Sequence, residues 1–133
     1  MKKRRNFIKY FSYITVWSTP IIQSVVLPAH AQTSICTSEV VPGIQISVID
    51  SVTSENISCL ATITITDGSY TETLSSDNCS TVGVLEGAYE RPGTYQIEVT
   101  APNYISSSMV DIEVTEDECH VITELLEISL VLN

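Results

Sequence analysis

From Gly43 onward, apolar and polar residues alternate with a period of two, broken by clusters of turn-forming residues. Ile44, Ile46 and Val48 alternate with Gln45 and Ser47, and Ala61, Ile63 and Ile65 with Thr62, Thr64 and Thr66. Asp67-Gly68 is a hairpin turn signal, and Tyr70, Glu72 and Leu74 continue the alternation beyond it. Residues 75–83 are rich in Ser, Asp and Asn and predict a loop. A short segment over 84–89 precedes the turn Arg91-Pro92-Gly93. Tyr95, Ile97 and Val99 then alternate with polar neighbours, Pro102-Asn103 breaks the chain, and Val110, Ile112 and Val114 resume. The last strand, about 120–132, places Leu126, Ile128, Leu130 and Leu132 on one face. Its earlier half is out of phase with its later half, which predicts a bulge near Leu125. The pattern therefore predicts about seven short strands and no amphipathic helix. One apolar face per strand calls for two sheets packed face to face, an all-β sandwich.

The chain ahead of this pattern is different. Lys2, Lys3, Arg4, Arg5 and Lys9 form a basic start, and an uncharged, moderately apolar stretch runs over 10–28. Ala29-His30-Ala31 puts small residues at the −3 and −1 positions before Gln32. Pro20 and several hydroxyl side chains interrupt the stretch, which is too short and polar for a permanent span. The expectation is a signal peptide over 1–31 cut between Ala31 and Gln32, a polar lead-in over 32–42, and one domain over 43–133. Lys3-Arg4-Arg5-Asn6-Phe7-Ile8-Lys9 resembles a twin-arginine motif, with Arg4 and Arg5 as its pair. Lys3 and Ile8 depart from the common pattern, so an ordinary secretory signal is the alternative. Either route predicts a periplasmic or secreted protein, with no stable membrane anchor in its mature form.

Charge sharpens the picture. Of six basic residues only Arg91 lies beyond Lys9, and all sixteen acids lie between Glu39 and Glu127. Removing 1–31 leaves one cation against sixteen acids, a formal charge of −15. Such a surface repels phosphate backbones and anionic lipid, which argues against nucleic acid and membrane-surface partners. Arg91 reads as one half of an internal ion pair, with Glu90 or another acid, holding the turn before Gly93; a carboxylate anchor for a partner is the alternative.

Catalytic chemistry finds little support. His30 leaves with the signal, so His120 would be the only base for a serine–histidine–acid set, and no Gly-x-Ser-x-Gly elbow exists. His120 beside Cys119 lacks a spaced second pair for a metal and reads as a surface histidine on a strand. Glu116-Asp117-Glu118 lacks the spacing of a dedicated calcium loop; it reads as a solvated turn, with weak calcium binding as the alternative. No catalytic residue, resident metal or cofactor is assigned, and the chain is expected not to be an enzyme.

Two stretches carry a family resemblance. One is Cys59-Leu60-Ala61 running into Thr66-Asp67-Gly68-Ser69-Tyr70-Thr71-Glu72. The other is Gly87-Ala88-Tyr89-Glu90-Arg91-Pro92-Gly93-Thr94-Tyr95, followed by Tyr104 and by Cys119-His120-Val121. Together they resemble bacterial exported carboxypeptidase regulatory-like proteins with a seven-stranded transthyretin-like (prealbumin-like) sandwich. Asn103 stands where a glycine commonly precedes the tyrosine, a change that turn chemistry tolerates. The resemblance implies a fold and an extracytoplasmic address, and no reaction.

The four cysteines, Cys36, Cys59, Cys79 and Cys119, all follow the signal and allow three pairings. Counting outward from the Asp67-Gly68 turn places Cys59 opposite about residue 76, close to Cys79. The resemblance implies that the first and last strands lie parallel and adjacent, which would bring Cys36 to Cys119. Cys59–Cys79 with Cys36–Cys119 is the favoured set, and one bridge with two free thiols the alternative. The function expected is a non-catalytic extracytoplasmic module binding protein or glycan, with Tyr70, Tyr89, Tyr95 and Tyr104 as candidate contacts. A structural or accessory component of the cell envelope is the alternative.

Overall fold

The computed structural model describes residues 35–133. The expected signal peptide, its Arg4–Arg5 pair, the Ala31/Gln32 cleavage position and the first three lead-in residues lie outside the described residues. The strands are β1 (Ile44–Asp50), β2 (Thr62–Asp67), β3 (Tyr70–Leu74), β4 (Leu85–Gly87), β5 (Gly93–Thr100), β6 (Ser107–Val114) and β7 (Glu124–Leu130). They form two sheets, β4-β1-β7 and β3-β2-β5-β6. The only helical turn among the described residues is a 3₁₀ turn over Ser58–Leu60.

The period-two alternation does what the pleat requires. Ile44, Ile46 and Val48 of β1 and Ile128 and Leu130 of β7 face Ile63 and Ile65 of β2 and Tyr95, Ile97 and Val99 of β5 in one core. β1 pairs with β7 in parallel, Ile44 opposite Glu124 through Asp50 opposite Leu130. Every other pairing is antiparallel.

Four details differ from the sequence expectation. The first hairpin turns one residue later, because Asp67 pairs with Tyr70 and Gly68-Ser69 form the two-residue loop. Gly68 takes a left-handed φ of 62°, a conformation that costs glycine nothing. Second, β7 begins at Glu124, and residues 115–123 form a separate turn closed by a Glu116–Val121 bridge. Third, β7 carries no bulge; its register with β1 is unbroken and Leu125 simply points outward.

The bulge lies in β6 instead. Tyr95 opposes Ile112, yet Ile97 opposes Met109, so β6 spends one extra residue over that interval. Asp111 absorbs it at a φ of 58°. Met109 and Ile112 therefore share the inner face with Val114, while Val110 is exposed. The apparent period of two through Val110, Ile112 and Val114 does not survive this insertion.

Candidate functional site

Both bridges form as favoured. Cys59 and Cys79 have Cα atoms 4.9 Å apart, and Cys36 and Cys119 5.2 Å. The β2–β3 register explains the first: extended outward it sets Cys59 opposite Asn78, one residue from Cys79. The second joins the lead-in to the β6–β7 turn, as the parallel β1–β7 pairing allows.

Around this second bridge lies the first polar cluster. The His120 ring contacts Glu90 Oε1 through Nδ1 at 2.8 Å and Thr37 Oγ1 through Nε2 at 3.0 Å. The Val41 amide also donates to Glu90 Oε1, at 2.8 Å. That amide bond, followed by the His120 contact, holds the Glu90 carboxyl below its usual range. Asp117 Oδ1 accepts the amides of Cys119 and His120, which lowers its own pKa and sets the turn. His120 is thus a half-buried turn residue bonded on both ring nitrogens, not a strand residue facing solvent. Hydroxyl, imidazole and carboxylate occur in the order of a nucleophilic relay. Here the chain runs from the exposed lead-in to the turn before Arg91, and its immediate effect is to fasten the lead-in to the sandwich.

The second cluster surrounds Arg91. Its Nη1 donates to Asp67 Oδ2 at 2.8 Å and to the Tyr95 hydroxyl at 3.0 Å, and its guanidinium carbon lies 4.0 Å from the Tyr70 ring centroid. Arg91 therefore pairs with Asp67; neighbouring Glu90 serves His120 instead. The Asp67 bond and the Tyr95 contact raise the Arg91 pKa. Tyr95, fully buried, donates its hydroxyl to the Arg91 carbonyl at 2.7 Å, four residues upstream. This is the tyrosine-corner arrangement of Greek-key sandwiches. A Cβ on Gly93 would lie 2.5 Å from Asp67 Oδ2, so a side chain there would push the carboxylate off its arginine. Tyr70 donates to Glu72 Oε2, which also accepts the Ala88 amide. Burial, then that bond to Glu72, push the Tyr70 phenol up to about 12.

At the far end of β1, Asp50 is 4% exposed. Its Oδ1 accepts the amides of Val52 and Thr53, and its Oδ2 accepts the Tyr104 hydroxyl at 2.7 Å. The Thr53 amide first, then Tyr104 and the Val52 amide, lower its pKa to about 2. Nothing in the sequence pattern marked Asp50, although an Asp followed by Ser-Val-Thr-Ser at a strand end is a turn-capping signal. Ser58 was likewise unmarked. It is fully buried, accepts the Val48 amide and donates to the Gly83 carbonyl, tying the 75–83 loop to β1.

Of the four candidate contact tyrosines, Tyr95 is core, Tyr70 and Tyr104 are half-buried and hydrogen-bonded, and only Tyr89 is substantially exposed. Two shallow grooves lie on the outer sheet faces. One, of about 180 Å³, is lined by Gln45, Ser47, Val84, Leu125, Leu126 and Glu127. The other, of about 360 Å³, crosses Thr64, Thr66, Gln96, Glu98 and Ser108. Among the described residues no three His, Cys, Asp or Glu side chains converge as a metal site, and no helix is long and apolar enough to cross a membrane. No family model and no curated protein matches the chain.

Proposed function

We propose that the chain is a non-catalytic extracytoplasmic binding module built on a transthyretin-like sandwich. The observation that carries the address is the pair of disulfides, which persist in oxidising compartments and are rare elsewhere. The parallel pairing of first and last strands and the tyrosine corner support the family resemblance. The well-bonded interior leaves the exposed sheet surfaces and loop ends as the places where a protein or glycan could be held. Calcium at Glu116-Asp117-Glu118 is disfavoured, because Asp117 Oδ1 is already committed to two backbone amides.

The test has two arms. The disulfide-bonded protein, immobilised, is exposed to periplasmic extract and to cell-envelope glycans. Saturable capture of a defined protein or glycan is the expected result. Failure of both, with the protein instead fractionating with insoluble envelope, would favour the alternative, a structural envelope component.

A further inference from the structure

We infer that the outer edge of β7 is a strand-docking site for an extended, lysine- or arginine-bearing segment of another protein. The inference rests on the binding-module reading above and names its partner class.

Backbone directions identify the open groups. The Glu124 amide donates to Gly43 and the Leu130 carbonyl accepts from Ser51, so even-numbered residues of β7 face β1. Leu125, Glu127 and Ser129 therefore turn their N–H and C=O groups to the other side, where β7 has no neighbouring strand among the described residues. Farther along the same side the edge is already in use. The Val131 carbonyl accepts the Ile105 amide at 2.8 Å and the Asn133 amide donates to Asn103 at 2.9 Å. A three-residue antiparallel fragment thus covers the tail of this edge, and no other described residue pairs with 125–129 on that side.

The other edges are blunted in familiar ways. β4 is three residues long, and β6 is bent by its bulge at Asp111. β3 runs into the loop closed by Cys59–Cys79. β7 is seven residues without proline, lysine or bulge. Beneath it Leu126 is only partly buried, as are Met109 and Ile112 of β6, the neighbouring edge strand. Leu125, 73% exposed, and Glu127 stand on the outer face beside the shallow groove shared with Gln45, Ser47 and Val84.

Charge selects the occupant. A second copy pairing antiparallel about a two-fold axis would bring Glu127 of each chain toward the other, between two bodies each carrying sixteen acids and one arginine after Lys9. An incoming strand with a cation opposite Glu127 and apolar residues facing Leu126 meets complementary groups on both faces.

The probe is a labelled heptapeptide alternating valine and lysine, titrated into the disulfide-bonded protein with fluorescence anisotropy and amide chemical shifts as readouts. Two control peptides carry glutamate in place of lysine, or N-methyl groups on the amides along one edge. Saturable binding is expected, with shifts centred on Leu125, Glu127 and Ser129. Affinity should fall about tenfold with the N-methylated peptide, whose charge is unchanged, and with Glu127→Lys, which should instead take the glutamate peptide. Leu125→Pro should also weaken binding while leaving the β1 ladder intact, since the lost N–H faces outward. No binding, equal binding of the N-methylated peptide, or shifts centred elsewhere would overturn the inference. So would a dimer protecting the same amides. Any of these results alongside capture of a partner in the preceding test would leave the module reading standing and remove only this site.

Discussion

At the scale of single residues, polar groups fix the corners of the sandwich. Tyr95 and Arg91 lock the turn into β5 through reciprocal bonds, hydroxyl to carbonyl and guanidinium to hydroxyl. Tyr95→Phe leaves the half-buried Arg91 carbonyl and guanidinium short of a partner and should cost about 1–2 kcal/mol in urea unfolding. Arg91→Met should lower the Tm by removing the Asp67 pair and the stacking on Tyr70; an unchanged Tm would refute its structural role. Asp50 supplies the pH dependence. Its folded pKa, about 2, lies below the ordinary value of 3.8, so its contribution is complete above pH about 4 and is lost as pH falls toward 2. Glu90 and Asp117 are lowered too and act in the same direction. Acid titration of stability should therefore fall between pH about 4 and 2, and more shallowly in Asp50→Asn.

At the scale of elements, the seven strands were legible because each carries one apolar face, and the Cys59–Cys79 bridge because the register around the hairpin brings the two together, whereas Cys36–Cys119 was expected only from the family resemblance. The bulge was not legible. A bulge takes up one residue and leaves no apolar gap, so Val110, Ile112 and Val114 imitate a regular strand while Met109 takes the inner place. A glycine at position 111 would have marked the left-handed turn; aspartate tolerates it less visibly. Asp111→Val should cost about 1–2 kcal/mol, whereas Asp111→Gly should be neutral or stabilising. Equal stabilities for the two variants would remove the bulge from the account. The roles of Asp50, Ser58 and Glu90 were hidden for another reason. The side chains of Ser58 and Glu90 bond to groups on other elements, and Asp50, besides capping the adjacent Val52 and Thr53 amides, meets distant Tyr104, so spacing along the chain shows only the local half of these roles.

At the scale of the whole molecule, two covalent loops offset charge repulsion. In the loop-entropy treatment the 20-residue closure contributes about 3 kcal/mol and the 83-residue closure about 4.5. Against them stands the repulsion among sixteen acids with one arginine beyond Lys9. At neutral pH that repulsion should yield to screening, since the Debye length falls to about 10 Å at 0.1 M salt. Raising sodium chloride should increase the Tm at pH 7 and have little effect near pH 4, where many carboxylates are neutral. A Tm insensitive to salt at pH 7 would show that the charges are too dispersed to matter. The central claim is a disulfide-closed sandwich delivered outside the cytoplasm, and intact mass with N-terminal mapping of the protein from its native host tests it most directly. The account predicts recovery from the exported fraction, a chain beginning at Gln32, and a mass four hydrogens below the reduced chain, with Cys36–Cys119 and Cys59–Cys79 in the digest. A cytoplasmic chain retaining its first residues with four free thiols would contradict it.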